Sequence, residues 1–380
     1  MELSILYLLH KASKLIWEPG NLFLANDNVS TTSLSILFFP AILSSLFKCD
    51  KSNSALWIIN LLPFIYSRKS SATSPNFILS DKKLSELTSN NPKIVLITGD
   101  LGFGVLDEYR DKRPAQFINA GVSEQNMTML AVGMALEGWT AFTYSIGNFP
   151  TLRCLEMIRN DASYHNANVK VVSVGGGFSY GALGISHHAT EDIAIMRSLP
   201  DMTVFSPCGY WETIHVTEAL VNTPGTCYLR LDKSMGDDEP KNNEKFNVGK
   251  LRLLREGNVA VFVTGGILCE VQKASEILSQ VGIELKIISC HTLKPFDEDG
   301  LIKLAKGSRA VVTVEEHTIY AGLGSIIAEI FMDSSYRPEK FLRIGLESGF
   351  SSIVGSQEYL RKCYKLDANS IASRITKLLS

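Results

Sequence analysis

A carboxylate in the first turn of a predicted helix is the residue of this sequence best suited to do chemistry. Residues 117–127 read Phe-Ile-Asn-Ala-Gly-Val-Ser-Glu-Gln-Asn-Met, so a strand ends, Gly121 makes a turn and a helix begins near Ser123. Glu124 lies three residues before Met127, on the apolar face of that helix. The pattern has two interpretations: Glu124 stabilises the helix through its dipole, or it is a buried carboxylate held for proton transfer.

A glycine-rich segment is a second place where a ligand could bind. Residues 175–184 read Gly-Gly-Gly-Phe-Ser-Tyr-Gly-Ala-Leu-Gly and follow a predicted strand. Glycines let a backbone approach a ligand closely and expose its N–H groups, which makes Gly177 a candidate for substrate binding. A plain turn from strand to loop is the other interpretation.

The elements that position these residues alternate regularly from Asn76 onward. Short β-rich runs alternate with helical patterns, which is typical of α/β units with a mostly parallel sheet. The predicted strands are 93–98, 116–119, 140–144, 169–174, 203–206 and 226–229, and the predicted helices are 124–136, 152–163, 190–198 and 211–221. We therefore expect an α/β domain over residues 76–231.

A polar segment, 232–247, separates this domain from a second one. It contains Gly236, Pro240 and several Asp and Asn residues, a composition typical of an interdomain linker. Beyond it, the predicted strands are 259–263, 284–289, 310–314 and a short one near 342, and the predicted helices are 268–280, 297–306, 325–331 and 370–379. The expected fold class is α/β, with two consecutive parallel-sheet domains, the second spanning 248–380.

The amino-acid composition and charge indicate an ordinary globular protein and argue against nucleic acid and anionic membranes as binding partners. The 380 residues are 45% hydrophobic and 20% charged, which is ordinary for a globular protein of two or three domains. Lys and Arg number 37 against 39 Asp and Glu, so no excess of positive charge favours nucleic acid or an anionic membrane. The seven cysteines are scattered and form no CxxC pair. This usage indicates reduced thiols in a cytoplasmic protein rather than disulfides or a zinc site.

Residues 1–75 differ from the rest in being rich in Leu, Ile, Ser, Phe and Asn. Their longest uncharged apolar run, 32–47, contains Pro40 and falls short of the ~20 residues that a membrane helix needs. The start lacks the basic residues and the cleavage site of a signal peptide. Because the next methionine after Met1 is Met127, the extension is either genuine or a consequence of start-site choice. We assign it no function.

Several motifs, in order along the chain, resemble those of the transketolase family of thiamine diphosphate enzymes. Residues 121–127 resemble its glutamate motif, and Tyr-Ser-Ile-Gly-Asn-Phe at 144–149 resembles its cofactor-stacking segment. Further similarities lie at 187–191, 196–202, 289–297, 314–317 and 322–324. The resemblance covers about residues 80–370 and implies a thiamine diphosphate pyrimidine-binding domain followed by a transketolase C-terminal domain.

The resemblance also implies a cofactor and the residues that bind it. In this family a carboxylate is hydrogen-bonded to a nitrogen of the cofactor's pyrimidine ring. This contact favours the imino form of the cofactor's own amino group, which then takes the proton from the thiazolium C2. Glu124 matches that catalytic, cofactor-binding carboxylate, and Phe149 matches the aromatic residue that stacks on the pyrimidine. Ile146 stands where transketolases often have a second aromatic residue. Asp100 and Gly102 match the first strand-end loop, which approaches the cofactor.

Substrate contacts are implied in the same way. His187 matches the family's histidine after the glycine-rich loop and is a candidate to polarise a substrate oxygen. Arg230 stands where the family has a substrate-contacting arginine, although an exposed arginine at a strand end is the other interpretation. Gly175 and Leu183 replace the histidine and the acid with which the family's loop reads the hydroxyls of a ketose phosphate. Ordinary pentose phosphates are therefore disfavoured as substrates.

One family motif is missing. The family binds the diphosphate through Mg²⁺ with a G-D-G … N motif in a separate domain, and no such motif occurs in these 380 residues. We therefore expect no metal ligand in this chain and a separate N-terminal subunit that binds Mg²⁺ and the diphosphate of the shared thiamine diphosphate. The chain would be inactive alone and active in an α2β2 assembly.

Three functions stay open at this point. The first is the C-terminal subunit of a split transketolase, which transfers a two-carbon ketol unit between sugar phosphates or related ketoses. The second is the β subunit of a 2-oxoacid dehydrogenase-type or deoxyxylulose-phosphate-synthase-like decarboxylating enzyme. The third is a non-catalytic regulatory or binding subunit. The motifs at 121–127 and 197–202 favour the first, and the retained Glu124 and Phe149 argue against the third.

Overall fold

The structure is a computed structural model that describes residues 75–380. The extension 1–75 therefore lies, apart from Pro75, outside the described residues. Within the described range, uninterrupted apolar runs form strands that are buried along their whole length, such as Ile94–Thr98 and Val259–Thr264. Strands of this kind are covered on both faces, as a parallel sheet requires. No helix within 75–380 is long and apolar enough to span a bilayer.

The first half of the described chain begins with a helix and then alternates strands with helices. Its elements are α1 (Pro75–Ser89), β1 (Ile94–Thr98), α2 (Asp107–Lys112), β2 (Phe117–Asn119), α3 (Glu124–Leu136), β3 (Thr140–Ile146), α4 (Leu155–Met157), β4 (Val169–Val174), α5 (Asp192–Ser198), β5 (Thr203–Phe205), α6 (Tyr210–Asn222) and β6 (Cys227–Leu231). A 3₁₀ turn (Leu152–Cys154) precedes α4, and a π turn (Ile158–Ser163) follows it.

The second half repeats the alternation. Its elements are β7 (Arg252–Arg255), β8 (Val259–Thr264), α7 (Leu268–Ser279), β9 (Leu285–Ser289), β10 (Thr292–Lys294), α8 (Glu298–Ala305), β11 (Val311–Thr318), α9 (Leu323–Asp333), β12 (Phe341–Leu346), α10 (Gln357–Cys363) and α11 (Ala368–Leu379). Apolar side chains of α7 and α11 pack together with β8, β9 and β11 in one buried cluster.

Two sheets organise these elements. The first has seven strands in the order β10-β5-β6-β4-β3-β1-β2, and only β10 is antiparallel to its neighbour. The second has five strands in the order β12-β11-β8-β9-β7, and only β7 is antiparallel. The expected fold class, two mostly parallel-sheet α/β domains, is therefore confirmed. Parallel strands place all their carboxyl ends at one edge, so the loops after β1, β2, β3 and β4 meet there.

The two halves share a sheet. β10 belongs to the second half of the sequence, yet Thr292 lies opposite Phe205 of β5 in antiparallel orientation. The segment 232–247 contains neither helix nor strand, but it is not a loose tether. Its buried Asp238 accepts a hydrogen bond from the Glu212 N–H at 2.7 Å, in the first turn of α6.

A buried carboxylate of the second half fixes the glycine-rich loop of the first. Glu316, in β11, accepts a hydrogen bond from the Phe178 N–H at 2.6 Å and forms an ion pair with Arg361 of α10. The Gln357 side chain donates to the same carboxylate at 2.9 Å. A buried carboxylate is costly unless it keeps its hydrogen bonds and its counter-charge. Since Phe178 of the loop supplies one of these hydrogen bonds, the loop is held in one position against the second half.

Candidate active site

Glu124 is buried at the carboxyl edge of the first sheet, and only 2% of its surface is exposed. It is the first residue of α3, and the end of β1 comes so close that a Cβ on Gly99 would lie 3.3 Å from the Glu124 Cγ. Ser145 Oγ donates to one carboxylate oxygen at 3.4 Å, and Arg153 Nη1 donates to the other at 2.6 Å. Groups from β1, β3 and the segment after β3 therefore fix the carboxylate.

An aromatic ring and an imidazole complete this cluster. The Arg153 guanidinium lies over the Phe149 ring, 4.7 Å from its centroid. The Phe149 ring in turn meets the His187 ring edge-on, with centroids 5.1 Å apart. Ile146, at the end of β3, accepts a hydrogen bond from the Phe149 N–H at 2.9 Å. The structure thus brings Glu124, Phe149, Ile146 and His187 together.

The loop after β1 reaches the same edge. Asp100 and Gly102 both have left-handed backbones, with φ of 60° and 86°. The Asn119 side chain donates to the exposed Asp100 carboxylate at 2.9 Å and accepts from the Asp100 N–H at 3.1 Å. It also accepts from the Gly121 N–H at 2.9 Å. Asn119 therefore ties the Asp100 loop to the turn that precedes Glu124.

The three glycines that open the glycine-rich loop, 175–177, do not offer free N–H groups to a ligand. Gly177 exchanges both of its backbone hydrogen bonds with Ala189, at 2.7 and 3.0 Å, and the Gly175 N–H donates to the Leu231 carbonyl at 2.7 Å. Gly177 is needed for a different reason, because its φ is +57° and a Cβ there would lie 2.5 Å from a Glu316 oxygen. The expected contact between Gly177 and substrate is therefore corrected to a structural role.

The two neighbouring histidines have different surroundings. His187 is half-buried, and its Nδ1 lies 3.0 Å from Ser186 Oγ. Burial, and then the nearby His188, lower the pKa of His187, so the neutral imidazole is favoured. His188 is buried, with its Nε2 3.1 Å from the Gly181 carbonyl and its ring edge-on to Phe178 at 5.1 Å. Of the two, His187 is the one that lies beside the Phe149 ring.

Arg230 is buried within the protein and does not face this cluster. Its guanidinium lies 3.1 Å from an Asp192 oxygen and 3.9 Å from an Asp232 oxygen. It also donates to the carbonyls of Ala189 and Glu316, at 3.2 and 2.9 Å. The expected contact of Arg230 with substrate is therefore corrected, since its N–H groups face interior carboxylates and carbonyls.

Sequence reasoning missed three residues of the site: Arg153, Tyr180 and Lys233. The Tyr180 ring covers Gly175 so closely that a Cβ on Gly175 would lie 2.2 Å from it. Lys233 Nζ lies 4.0 Å from the centroid of that ring, and burial lowers the pKa of Lys233. Arg153 stood in the predicted helix 152–163 and Lys233 in the predicted linker 232–247, and no pattern marked either of them as a site residue.

The arrangement can bind a planar, basic heteroaromatic ring. A buried carboxylate accepts a hydrogen bond from the protonated nitrogen of such a ring, and an aromatic side chain stacks on its face. A neutral imidazole beside them can donate to or accept from a neighbouring oxygen. Within the described range 75–380, no group of three His, Cys, Asp or Glu side chains could hold a metal ion.

Two family models match the chain. The transketolase pyrimidine-binding domain matches residues 78–237, and the transketolase C-terminal domain matches residues 249–371. Together they span the two α/β halves. The resemblance expected from the motifs is therefore confirmed.

Known proteins of similar sequence carry related names. A transketolase C-terminal section of Methanocaldococcus jannaschii is 37% identical over 296 residues, which cover 77% of this chain and 92% of that protein. One subunit of an apulose-4-phosphate transketolase of Phocaeicola vulgatus is 32% identical, over 66% of this chain and 81% of that protein. A solved split-gene transketolase, described as an inactive beta4 tetramer, is 31% identical with a TM-score of 0.70 and covers 79% of this chain and 96% of its own.

Replacing Arg230 by Met should destabilise the fold by about 3–5 kcal/mol, because Asp192 and Asp232 would lose a buried cation. The measurement is urea-induced unfolding of the variant and the wild type at pH 7. Arg255→Met is the matched control, since the exposed Arg255 pairs with Glu284 at the surface, at 3.0 Å, and its loss should cost less than about 1 kcal/mol. Equal midpoints for the two variants would contradict the interior role of Arg230.

Proposed function

The chain belongs to the transketolase family, and from that membership we propose that it is the C-terminal subunit of a split, thiamine diphosphate-dependent transketolase-like transferase. It transfers a two-carbon ketol unit between sugar phosphates or related ketoses. The observation that carries the proposal is the buried Glu124 carboxylate beside the half-buried Phe149 ring, at the carboxyl edge of the sheet. The names of the relatives, a transketolase C-terminal section and an apulose-4-phosphate transketolase subunit, support the same function.

The site residues fit the pyrimidine half of thiamine diphosphate. Glu124 offers a carboxylate to a ring nitrogen, Phe149 a face for stacking, and Ile146 an aliphatic wall. Asp100 and Gly102 belong to the loop at the same edge. When bound, the cofactor supplies the electron sink for cleaving and forming the carbon–carbon bond. Glu124 stabilises the protonated form of the ring nitrogen and so favours the imino form of the pyrimidine, which makes it the catalytic carboxylate of this chain.

The substrate side of the site is formed by His187, Tyr180 and Lys233. The His187 and Tyr180 rings lie 6.3 Å apart, and Lys233 lies over the Tyr180 ring. A neutral His187 can hydrogen-bond to a carbonyl or hydroxyl oxygen of a ketose, and the ammonium of Lys233 adds a charge that favours a phosphate. Leu183, on the loop that carries Tyr180, offers a reacting sugar no hydrogen bond.

An apolar surface supports the proposed N-terminal subunit, which would bind Mg²⁺ and the diphosphate. One side of α3 packs on the sheet through Met127 and Ala131. The other side carries exposed Gln125 and Asn126, but its Met129, Leu130 and Leu136 are also exposed in the single chain. Apolar side chains grouped on an exposed face are typical of an interface, so we infer that other subunits cover this side in an α2β2 assembly.

We propose a cytoplasmic location for this enzyme. The cysteines of the described range are all free thiols. Thiols stay reduced in that compartment, where disulfides are rare.

Activity should require two polypeptides. The purified chain should bind thiamine diphosphate weakly and transfer no ketol unit, because the family's diphosphate-binding motif does not occur in these 380 residues. Adding the companion chain that carries G-D-G … N should restore both properties. Calorimetric titration with thiamine diphosphate and Mg²⁺, together with a ketol-transfer assay, measures this. Turnover by the chain alone would refute the split assignment.

Replacing Glu124 by Gln should lower the activity of the assembled enzyme by about 10²–10⁴-fold, because an amide of nearly the same shape cannot stabilise a protonated pyrimidine nitrogen as a carboxylate can. The assay is exchange of the thiazolium C2 proton, followed by NMR. Glu137→Gln, at the exposed end of the same helix, should keep full activity. A loss below tenfold in Glu124→Gln would remove this residue from the catalytic role and favour a non-catalytic subunit.

Xylulose 5-phosphate should be a poor donor, and a ketose that is shorter, deoxygenated or modified at the carbons facing Leu183 should be preferred. An unpaired sugar hydroxyl there costs about 1–3 kcal/mol, or roughly ten- to a hundredfold in kcat/KM. Leu183→Asp should recover part of that loss for xylulose 5-phosphate. Ile185→Asp is the control, since Ile185 is 49% exposed and Leu183 is 46% exposed. If xylulose 5-phosphate is the best wild-type donor by tenfold, the interpretation of the loop fails.

A further inference from the structure

The Arg153 side chain takes up both contacts that the proposed function assigns to the pyrimidine ring. Its Nη1 donates to Glu124 Oε2 at 2.6 Å, and its guanidinium lies over the Phe149 ring at 4.7 Å. A guanidinium is planar and cationic, carries N–H donors in its plane and stacks on aromatic faces. A protonated aminopyrimidine has the same features, so the two groups suit the same carboxylate and the same ring face.

The arginine is held firmly at its backbone and loosely at its side chain. The Arg153 carbonyl accepts a hydrogen bond from Gln125 Nε2 at 3.2 Å, and its N–H donates to the Asn148 carbonyl at 3.3 Å. Its side chain is 45% exposed, whereas that of Glu124 is 2% exposed. The guanidinium can therefore rotate toward solvent without moving the 3₁₀ turn that carries it, while the carboxylate stays in place.

We propose that Arg153 is a positioning residue that occupies the pyrimidine site of the cofactor-free subunit and is displaced when thiamine diphosphate binds. This inference rests on the proposed function. Before binding, the guanidinium compensates the buried Glu124 charge, which would otherwise carry the cost of desolvation without a partner. The pocket is thereby kept in its binding shape, and the cofactor must compete with an internal ligand for it.

Replacing a residue that binds the cofactor weakens cofactor binding, whereas replacing a residue that competes with the cofactor strengthens it. Arg153→Met should tighten thiamine diphosphate binding to the assembled enzyme by about three- to tenfold, because no ion pair has to be broken first. Arg153→Lys keeps the charge near Glu124 but lacks the planar face, so its dissociation constant should lie between those of Arg153→Met and the wild type. The readout is calorimetric titration with thiamine diphosphate and Mg²⁺.

Arg255→Met serves as the matched control. Arg255 is 42% exposed, nearly as much as Arg153, and it pairs with Glu284 and not with a residue of the site. It should bind the cofactor as the wild type does. If the wild-type assembly does not bind thiamine diphosphate, the proposed function fails. If it binds and Arg153→Met binds equally or more weakly, only the competition is overturned.

A crystal structure of the loaded assembly provides a second, independent readout. The Arg153 Nη1 to Glu124 Oε2 separation, 2.6 Å in the structure described above, should exceed about 4 Å once the pyrimidine ring is bound. Retention of the ion pair beside a bound cofactor would overturn the inference even if the variants fail to assemble.

Discussion

The burial of the Glu316 carboxylate is the constraint on which the arrangement of the site depends. It lies in the second sheet, but its oxygens accept hydrogen bonds from the Phe178 N–H and from Gln357 and face the Arg361 guanidinium. A charge removed from water must be compensated by groups of fixed geometry. If the glycine-rich loop shifted, the buried Glu316 carboxylate would lose the hydrogen bond from the Phe178 N–H. The loop is therefore fixed, and so is Tyr180, which lies on it.

Two buried glutamates of this chain are compensated in different ways. Glu316 faces an arginine whose side chain is 5% exposed. It also accepts hydrogen bonds from Gln357 of the same helix and from Phe178 of the glycine-rich loop, so all of its partners lie in the interior. Glu124 faces an arginine that reaches it from the surface. The difference separates a structural carboxylate from one that can change its partner. Burial of the acid alone does not distinguish them, whereas the exposure of the cation does.

The hydrophobic pattern of the sequence predicted the parallel strands, because strands buried on both faces read as short uninterrupted apolar runs. The helical spacing of apolar residues predicted most of the helices. Of the two interpretations of Glu124, the structure shows the burial, while its role in proton transfer stays a prediction. Arg153 contacts both Glu124 and Phe149, and His187 lies beside Phe149. The roles expected of Gly177 and Arg230 were wrong for a common reason. The sequence shows which groups can form hydrogen bonds and ion pairs. Only the fold shows that the backbone of Gly177 already pairs with Ala189 and the Arg230 guanidinium with Asp192. β10 was missed because three residues carry no usable period.

The pairing of β10 with β5 limits how such a protein can be divided in evolution. A gene broken within the segment 232–247 would yield a first half whose sheet ends in an uncovered β5, and exposed edge strands promote aggregation. The second half would carry a short strand without a partner. The two halves therefore depend on each other for folding, although each resembles a complete α/β unit in its sequence.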